Sequence, residues 1–157
     1  MPATLTGGDV RPSNVNANEH ALVIGVDFGT LSGRAVVVRV SDGAELGSAM
    51  HPYRSGVIDR MLPATGQPLP PSWVLQDADD YLDVLAQAVP KALAASGADA
   101  AQVIGIATDF TACTVLPVDA AGEPLSHAPQ FRDRPHAYVK LWKHHAAQPD
   151  ADRINAL

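Results

Sequence analysis

Two strongly apolar runs, residues 21–26 and 35–40, are separated by only eight residues, Asp27-Phe28-Gly29-Thr30-Leu31-Ser32-Gly33-Arg34. Runs rich in Val and Ile favour strands, and a polar stretch this short between them leaves room for little more than a tight turn. An antiparallel pair of strands over 21–27 and 34–40 follows. Ser41-Asp42-Gly43 supplies another turn, and residues 45–50 complete a three-stranded meander. At the first turn, Asp27 ends a buried strand that fixes its carboxylate, while Thr30 and Ser32 offer hydroxyls. Gly29 and Gly33 let backbone approach a ligand and permit positive φ. One carboxylate, two hydroxyls and bare backbone suit a phosphate with its divalent metal. They equally suit a plain hairpin, whose turn draws on the same residue types.

Beyond the meander the chain changes character. Pro63, Pro68, Pro70 and Pro71, with Gly56 and Gly66, prevent residues 53–73 from continuing either sheet or helix, so a long irregular excursion is expected. Asp77 then caps a helix with Tyr81, Leu82, Leu85, Val89 and Leu93 on one face, Pro90 inside it as a kink or a missing hydrogen bond, and Gly97 as its stop. Residues 103–107 form an apolar strand, 108–114 a polar segment, 115–118 a further strand-like piece, and Asp119-Ala120-Ala121-Gly122 a turn. Residues 135–145 are compatible with a helix presenting Tyr138, Leu141 and Trp142. The order strand, strand, strand, helix, strand gives a mixed α/β sheet flanked by helices. Ligands gather at the carboxyl ends of strands in such sheets, where Asp27 and Asp109 would share one edge.

Composition removes several function classes. Eleven Lys and Arg against seventeen Asp and Glu give a net charge of -6, which favours neither a nucleic-acid backbone nor an anionic membrane. A single cysteine, Cys113, excludes an internal disulfide and any cysteine-rich zinc site. With no apolar run of bilayer length and no secretory signal pattern, a cytoplasmic location is expected. Residues 1–20 carry few large apolar side chains and read as a disordered tail, leaving 21–157 as the folded part. The triplet Asp27-Phe28-Gly29 also occurs in protein kinases, but no glycine-rich loop or catalytic loop precedes it here. Adjacent His144 and His145 point to opposite sides of any regular element and lack a carboxylate at ligand spacing, so they are not read as a metal site.

Ile24-Gly25-Val26-Asp27-Phe28-Gly29-Thr30, with Ser32 and Arg34, resembles the first phosphate motif of sugar kinases in the actin and hexokinase superfamily. Three further stretches narrow the resemblance: Gly56-Val57-Ile58-Asp59, Asp109-Phe110-Thr111-Ala112-Cys113-Thr114, and the run from Tyr138 through Trp142 and Lys143 to Gln148. Together they are similar to the ribulokinases of the FGGY carbohydrate kinase family.

The resemblance implies a ribonuclease H-like α/β domain and ATP-dependent, magnesium-assisted phosphorylation of a ketopentose, L-ribulose to ribulose 5-phosphate, in arabinose catabolism. It implies that Asp27 positions metal and phosphate, that Gly29, Thr30 and Ser32 surround the phosphates, and that Arg34 orients them. Asp109, Phe110, Thr111 and Ala112 would line the sugar pocket, with Trp142 and Lys143 beside it. Trp142 fits core packing equally well, Lys143 and Arg34 fit solvent, and 111–114 fit the start of another strand. The family's general-base aspartate and second domain are expected downstream of Leu157, so residues 21–157 are read as an incomplete amino-terminal domain that is a poor catalyst alone. Homo-oligomerisation, an exposed sheet edge, and a non-catalytic sugar- or phosphate-binding domain are the accompanying expectations.

Overall fold

The structure, a computed structural model, describes residues 20–157, so the tail expected over 1–20 lies outside the described residues apart from His20. The elements are β1 (Leu22–Phe28), β2 (Ser32–Arg39), β3 (Glu45–Pro52), β4 (Leu75–Gln76), α1 (Ala78–Ser96), β5 (Val103–Phe110), β6 (Val139–Lys140) and α2 (Gln148–Asn155). β1 and β2 pair antiparallel, β3 adds antiparallel to β2, and β5 lies parallel to β1. The resulting order β3-β2-β1-β5 is the mixed sheet expected from the element succession. β4 and β6 form a separate two-stranded ribbon.

Alternation along β1 decides which side carries the core. Leu22, Ile24, Val26 and Phe28 are buried beneath α1 with Ala35 and Val37 of β2, while Gly25 and Asp27 face the other side. α1 begins as read from the sequence, with Asp77 accepting the Asp79 N–H at 3.1 Å. It ends on Gly97 at φ 65°, whose own N–H returns to the Ala94 carbonyl. Its seat is unusually close: a Cβ at Gly33 would collide with the Val84 side chain, and one at Gly47 with the backbone of Ala92 and Ser96. Alanines at 88 and 92 complete this contact, so small residues on both partners bring helix and sheet together.

Several expectations are corrected. Gly29 and Gly33 do not adopt positive φ; Gly33 is needed for the helix contact, and Gly29 because a Cβ would come within 3.0 Å of the Ser32 carbonyl. The buried stripe of α1 runs through Val84, Ala88 and Ala92, leaving Leu82 (59% exposed) and Leu85 in solvent. The cause is lateral: α1 is centred over β3 and β2, so among the described residues no helix covers the β5 side of the sheet, where Ile104 and Ile106 are also exposed. For Pro90 the second of the two expectations holds: the helix continues through it and lacks one N–H there. Residues 115–118 make only the isolated bridges of Val115 with Lys140 and Val118 with Pro124. Residues 135–145 are not an α-helix: the short turn Pro135–Ala137 leads into β6, because Leu75 and Gln76 offer backbone partners to Lys140 and Val139. The irregular excursion over 53–73 is present, and Ile58 and Leu62 pack with Leu75, Ala137 and Tyr138 into a second small core.

Gly47→Ala is expected to lower unfolding stability by about 1–3 kcal/mol, because the added methyl meets helix backbone that cannot rotate away. Gly105→Ala, where the nearest atom to the new methyl is Val23 Cγ1 at 4.0 Å, should change it by less than about 0.5 kcal/mol in the same urea titration.

Candidate functional site

The β1–β2 pairing sets Asp27 opposite Arg34, and the parallel β1–β5 pairing sets Asp27 beside Asp109. Register partners in parallel strands point to one face, so both carboxylates stand at the carboxyl ends of β1 and β5 on the side away from α1. Arg34 Nη1 lies 4.0 Å from Asp27 Oδ2, with both side chains more than half exposed. An ion pair this open contributes about 0–1 kcal/mol, too little to explain the arrangement as a stabilising device. The three charged groups overlook a shallow hollow of about 710 Å³ floored by Gly25, Val36 and Ala107.

Behind them the turn is tightly braced. Gly29 N–H donates to the Ser32 carbonyl at 3.0 Å, Tyr53 N–H to the Leu31 carbonyl at 2.9 Å, and Thr111 N–H to the Phe28 carbonyl at 3.2 Å. Gln76, buried in β4, donates from Nε2 to the Thr30 carbonyl at 2.8 Å and accepts at Oε1 from the Tyr81 hydroxyl, also at 2.8 Å. Trp142 Nε1 donates to Thr30 Oγ1 at 3.2 Å. Sequence reasoning found Thr30 and Trp142 but not Gln76 or Tyr81, because a glutamine before a helix cap carries no periodic signal. Asp80 was also missed: it is wholly buried, accepting backbone N–H groups of Arg54 (2.8 Å) and Ser55 (3.1 Å) that fix the exit from β3. Burial pushes the Asp80 carboxyl up, and the Ser55 and Arg54 N–H groups oppose that shift.

The expected sugar-pocket residues separate into two groups. Thr30, Thr111, Ala112, Cys113 and Trp142 line one open hollow of about 450 Å³, with the Thr111 and Thr114 hydroxyls 2.8 Å apart. Phe110 lies outside it, on the α1 side of the sheet, stacked on Phe28 at 4.3 Å between ring centres and edge-on to Tyr81. Lys143 Nζ sits 5.0 Å from the Trp142 ring centre, a cation–π contact. Ser32 opens β2 and takes part in the turn through its carbonyl. The loop bearing Trp142 is anchored by His144, whose Nδ1 accepts the Val74 N–H at 3.2 Å. Elsewhere, His127 Nε2 lies 3.0 Å from Asp79 Oδ1, near Asp77, whose carboxylate already caps α1. No helix among the described residues is long and apolar enough to cross a membrane.

No family model matches the chain. Curated relatives do. A ribulokinase of Mycolicibacterium smegmatis is 61% identical over 86% of this chain, and one of Shouchella clausii is 55% identical over 85%. The chain spans about a quarter of the length of these relatives, 24% of each, and matches their amino-terminal part. Among solved structures, a xylulose kinase from Rhodospirillum rubrum superposes with a TM-score of 0.61 at 18% identity, covering 86% of this chain and 23% of that one. At such low identity the likeness shows the fold alone, a mixed α/β fold shared with that sugar kinase, as expected.

Because burial, and then the charge of Lys140, hold the His144 imidazole below its ordinary value of 6.5, the unfolded chain takes up this proton before the folded one does. Stability is therefore full above pH 6.5 and falls with pH between 6.5 and the lower folded value. Thermal melts from pH 7.5 to 5 should show a smaller loss for His144→Asn than for the unaltered chain.

Proposed function

We propose that this chain belongs to an ATP-dependent kinase of ribulokinase type, which transfers the γ-phosphoryl group of ATP to the terminal hydroxyl of L-ribulose and releases ADP and ribulose 5-phosphate. The observation that carries the reading is the pairing of Asp27 with Asp109 at the carboxyl ends of two parallel strands, next to a turn whose backbone is held at four points. The substrate class rests on the 61% identity to a ribulokinase. Phosphoryl transfer asks mainly for positioning and for neutralised charge; the braced turn supports the first, and Arg34 with an ion held by Asp27 would supply the second.

Asp27 and Asp109 offer hard, exposed carboxylate oxygens of the kind that suit Mg²⁺. Asp27 would hold the ion, which supplies charge neutralisation at the phosphates. Gly29 and Ser32, with Thr30, would surround the phosphate oxygens, and Arg34 would orient them from β2. Thr111 and Ala112 would face the sugar from one side of the open hollow, and Lys143 would lie at its rim. The proton acceptor for the attacking hydroxyl is assigned to the part of the relatives that this chain does not span. The reaction would serve pentose catabolism, of arabinose in particular, in the cytoplasm.

The full-length gene product should form ADP from MgATP when L-ribulose is added, and Asp27→Asn should cut kcat by about 100-fold or more while the protein stays folded. A well-folded full-length product that phosphorylates no pentulose or pentitol overturns the assignment. Residues 1–157 expressed alone should show no turnover in the same assay.

A further inference from the structure

Thr30 is gripped from two directions, and the donors involved determine what its hydroxyl has left to offer. An indole N–H can only donate, so Trp142 Nε1 at 3.2 Å obliges Thr30 Oγ1 to accept. A threonine hydroxyl carries one proton and two lone pairs, so its proton remains free for another group. The Thr30 carbonyl is meanwhile drawn into the protein by Gln76 Nε2 at 2.8 Å. Gln76 has its own orientation set: Tyr81 OH reaches Oε1 at 2.8 Å, and because the carbonyl oxygen beside Nε2 can only accept, that amide faces one way. The amide is 1% exposed, which leaves no solvent alternative for either end. Tyr81 is pinned between the rings of Phe28, Phe110 and Tyr53 and held to α1, so the chain of contacts ends on a rigid element.

We propose that Gln76, backed by Tyr81, and Trp142 are positioning residues that leave Thr30 as an obligate hydrogen-bond donor to a nucleotide phosphate. The proposal rests on the reading of this turn as the phosphate site. Trp142 then acts through Thr30 and not as a stacking platform for sugar, and the glutamine preceding the α1 cap belongs to the site although it touches no ligand.

The test uses the full-length gene product, with MgATP binding followed by calorimetry and turnover of L-ribulose followed by ADP release. Thr30→Val and Trp142→Phe should each lower kcat/KM for ATP by about 10- to 100-fold, the range for one hydrogen bond to a charged group, with KM for sugar unchanged. The double variant should lose no more than Thr30→Val alone, since both act at one hydroxyl. Thr30→Ser should recover most of the loss. Gln76→Glu keeps the shape but sets a carboxyl oxygen against the Thr30 carbonyl; it should reproduce the loss in kcat/KM for ATP, with KM for sugar unchanged, beside a lowered melting temperature from the lost buried contact, and Tyr81→Phe should do so in part. Additive losses from Trp142→Phe and Thr30→Val, a raised KM for sugar in Trp142→Phe, or nucleotide binding that none of the variants alters overturns the proposal. If the unaltered protein binds MgATP but phosphorylates no pentulose, the substrate assignment fails and the binding arm still decides this inference. If it binds no nucleotide, both fail.

Discussion

Close seating of α1 on β2 and β3 is the contact on which the remaining geometry depends. Gly33 is the residue where this seat and the phosphate-binding candidate coincide: it pairs with Phe28 at the turn and lies directly beneath Val84. Any side chain there would lift the helix and with it the whole first turn of α1. That first turn carries the Asp77 cap, Asp80 and Tyr81, and Gln76 stands just ahead of it. One helix end thus sets the exit of β3 through Asp80 and the level of the β1–β2 turn through Gln76.

Carboxylates in this small region divide by surroundings into two kinds. Asp77 and Asp80 are consumed by backbone N–H groups and serve the fold, Asp80 at the cost of desolvation. Asp27 stands in the open facing Arg34 at 4.0 Å, and among the described residues Asp109 accepts only the N–H of the next residue. A group left without a structural task, at the end of a parallel strand pair, is what a charged ligand requires. The contrast arises from strand parity, since Val26 and Phe28 on either side of Asp27 point into the core.

Sequence patterning revealed the meander, the helix with both its caps, and the parallel fourth strand, because those rest on local signals: β-branched runs, an Asp before the helix and a Gly after it. It also located Asp27 and Asp109 at one edge. It failed where partners lie far apart in the chain. Residues 135–145 have helical spacing, yet the ribbon with Leu75 and Gln76 wins them for β6. Leu82 and Leu85 fit an amphipathic stripe, yet the helix is placed by glycines and alanines that a hydrophobicity pattern undervalues. Gln76 was invisible because a buried amide is recognised only by what it touches, and Tyr81, read as part of the helix stripe, gave no sign of its bond to that amide. Phe110 was read with its neighbours Asp109 and Thr111, whereas alternation puts its ring on the opposite face, against Phe28.

The β1–β5 pairing joins residues some eighty positions apart, Leu22 with Val103, whereas β1, β2 and β3 pair with strands only a few residues away. Closing so long a loop costs more chain entropy than closing either hairpin, and only the contacts that β5 makes along β1 repay it. Asp109 stands beside Asp27 only where that loop is closed. The same closure brings the Thr111 N–H to the Phe28 carbonyl, so the second carboxylate and one brace of the turn depend on a single strand.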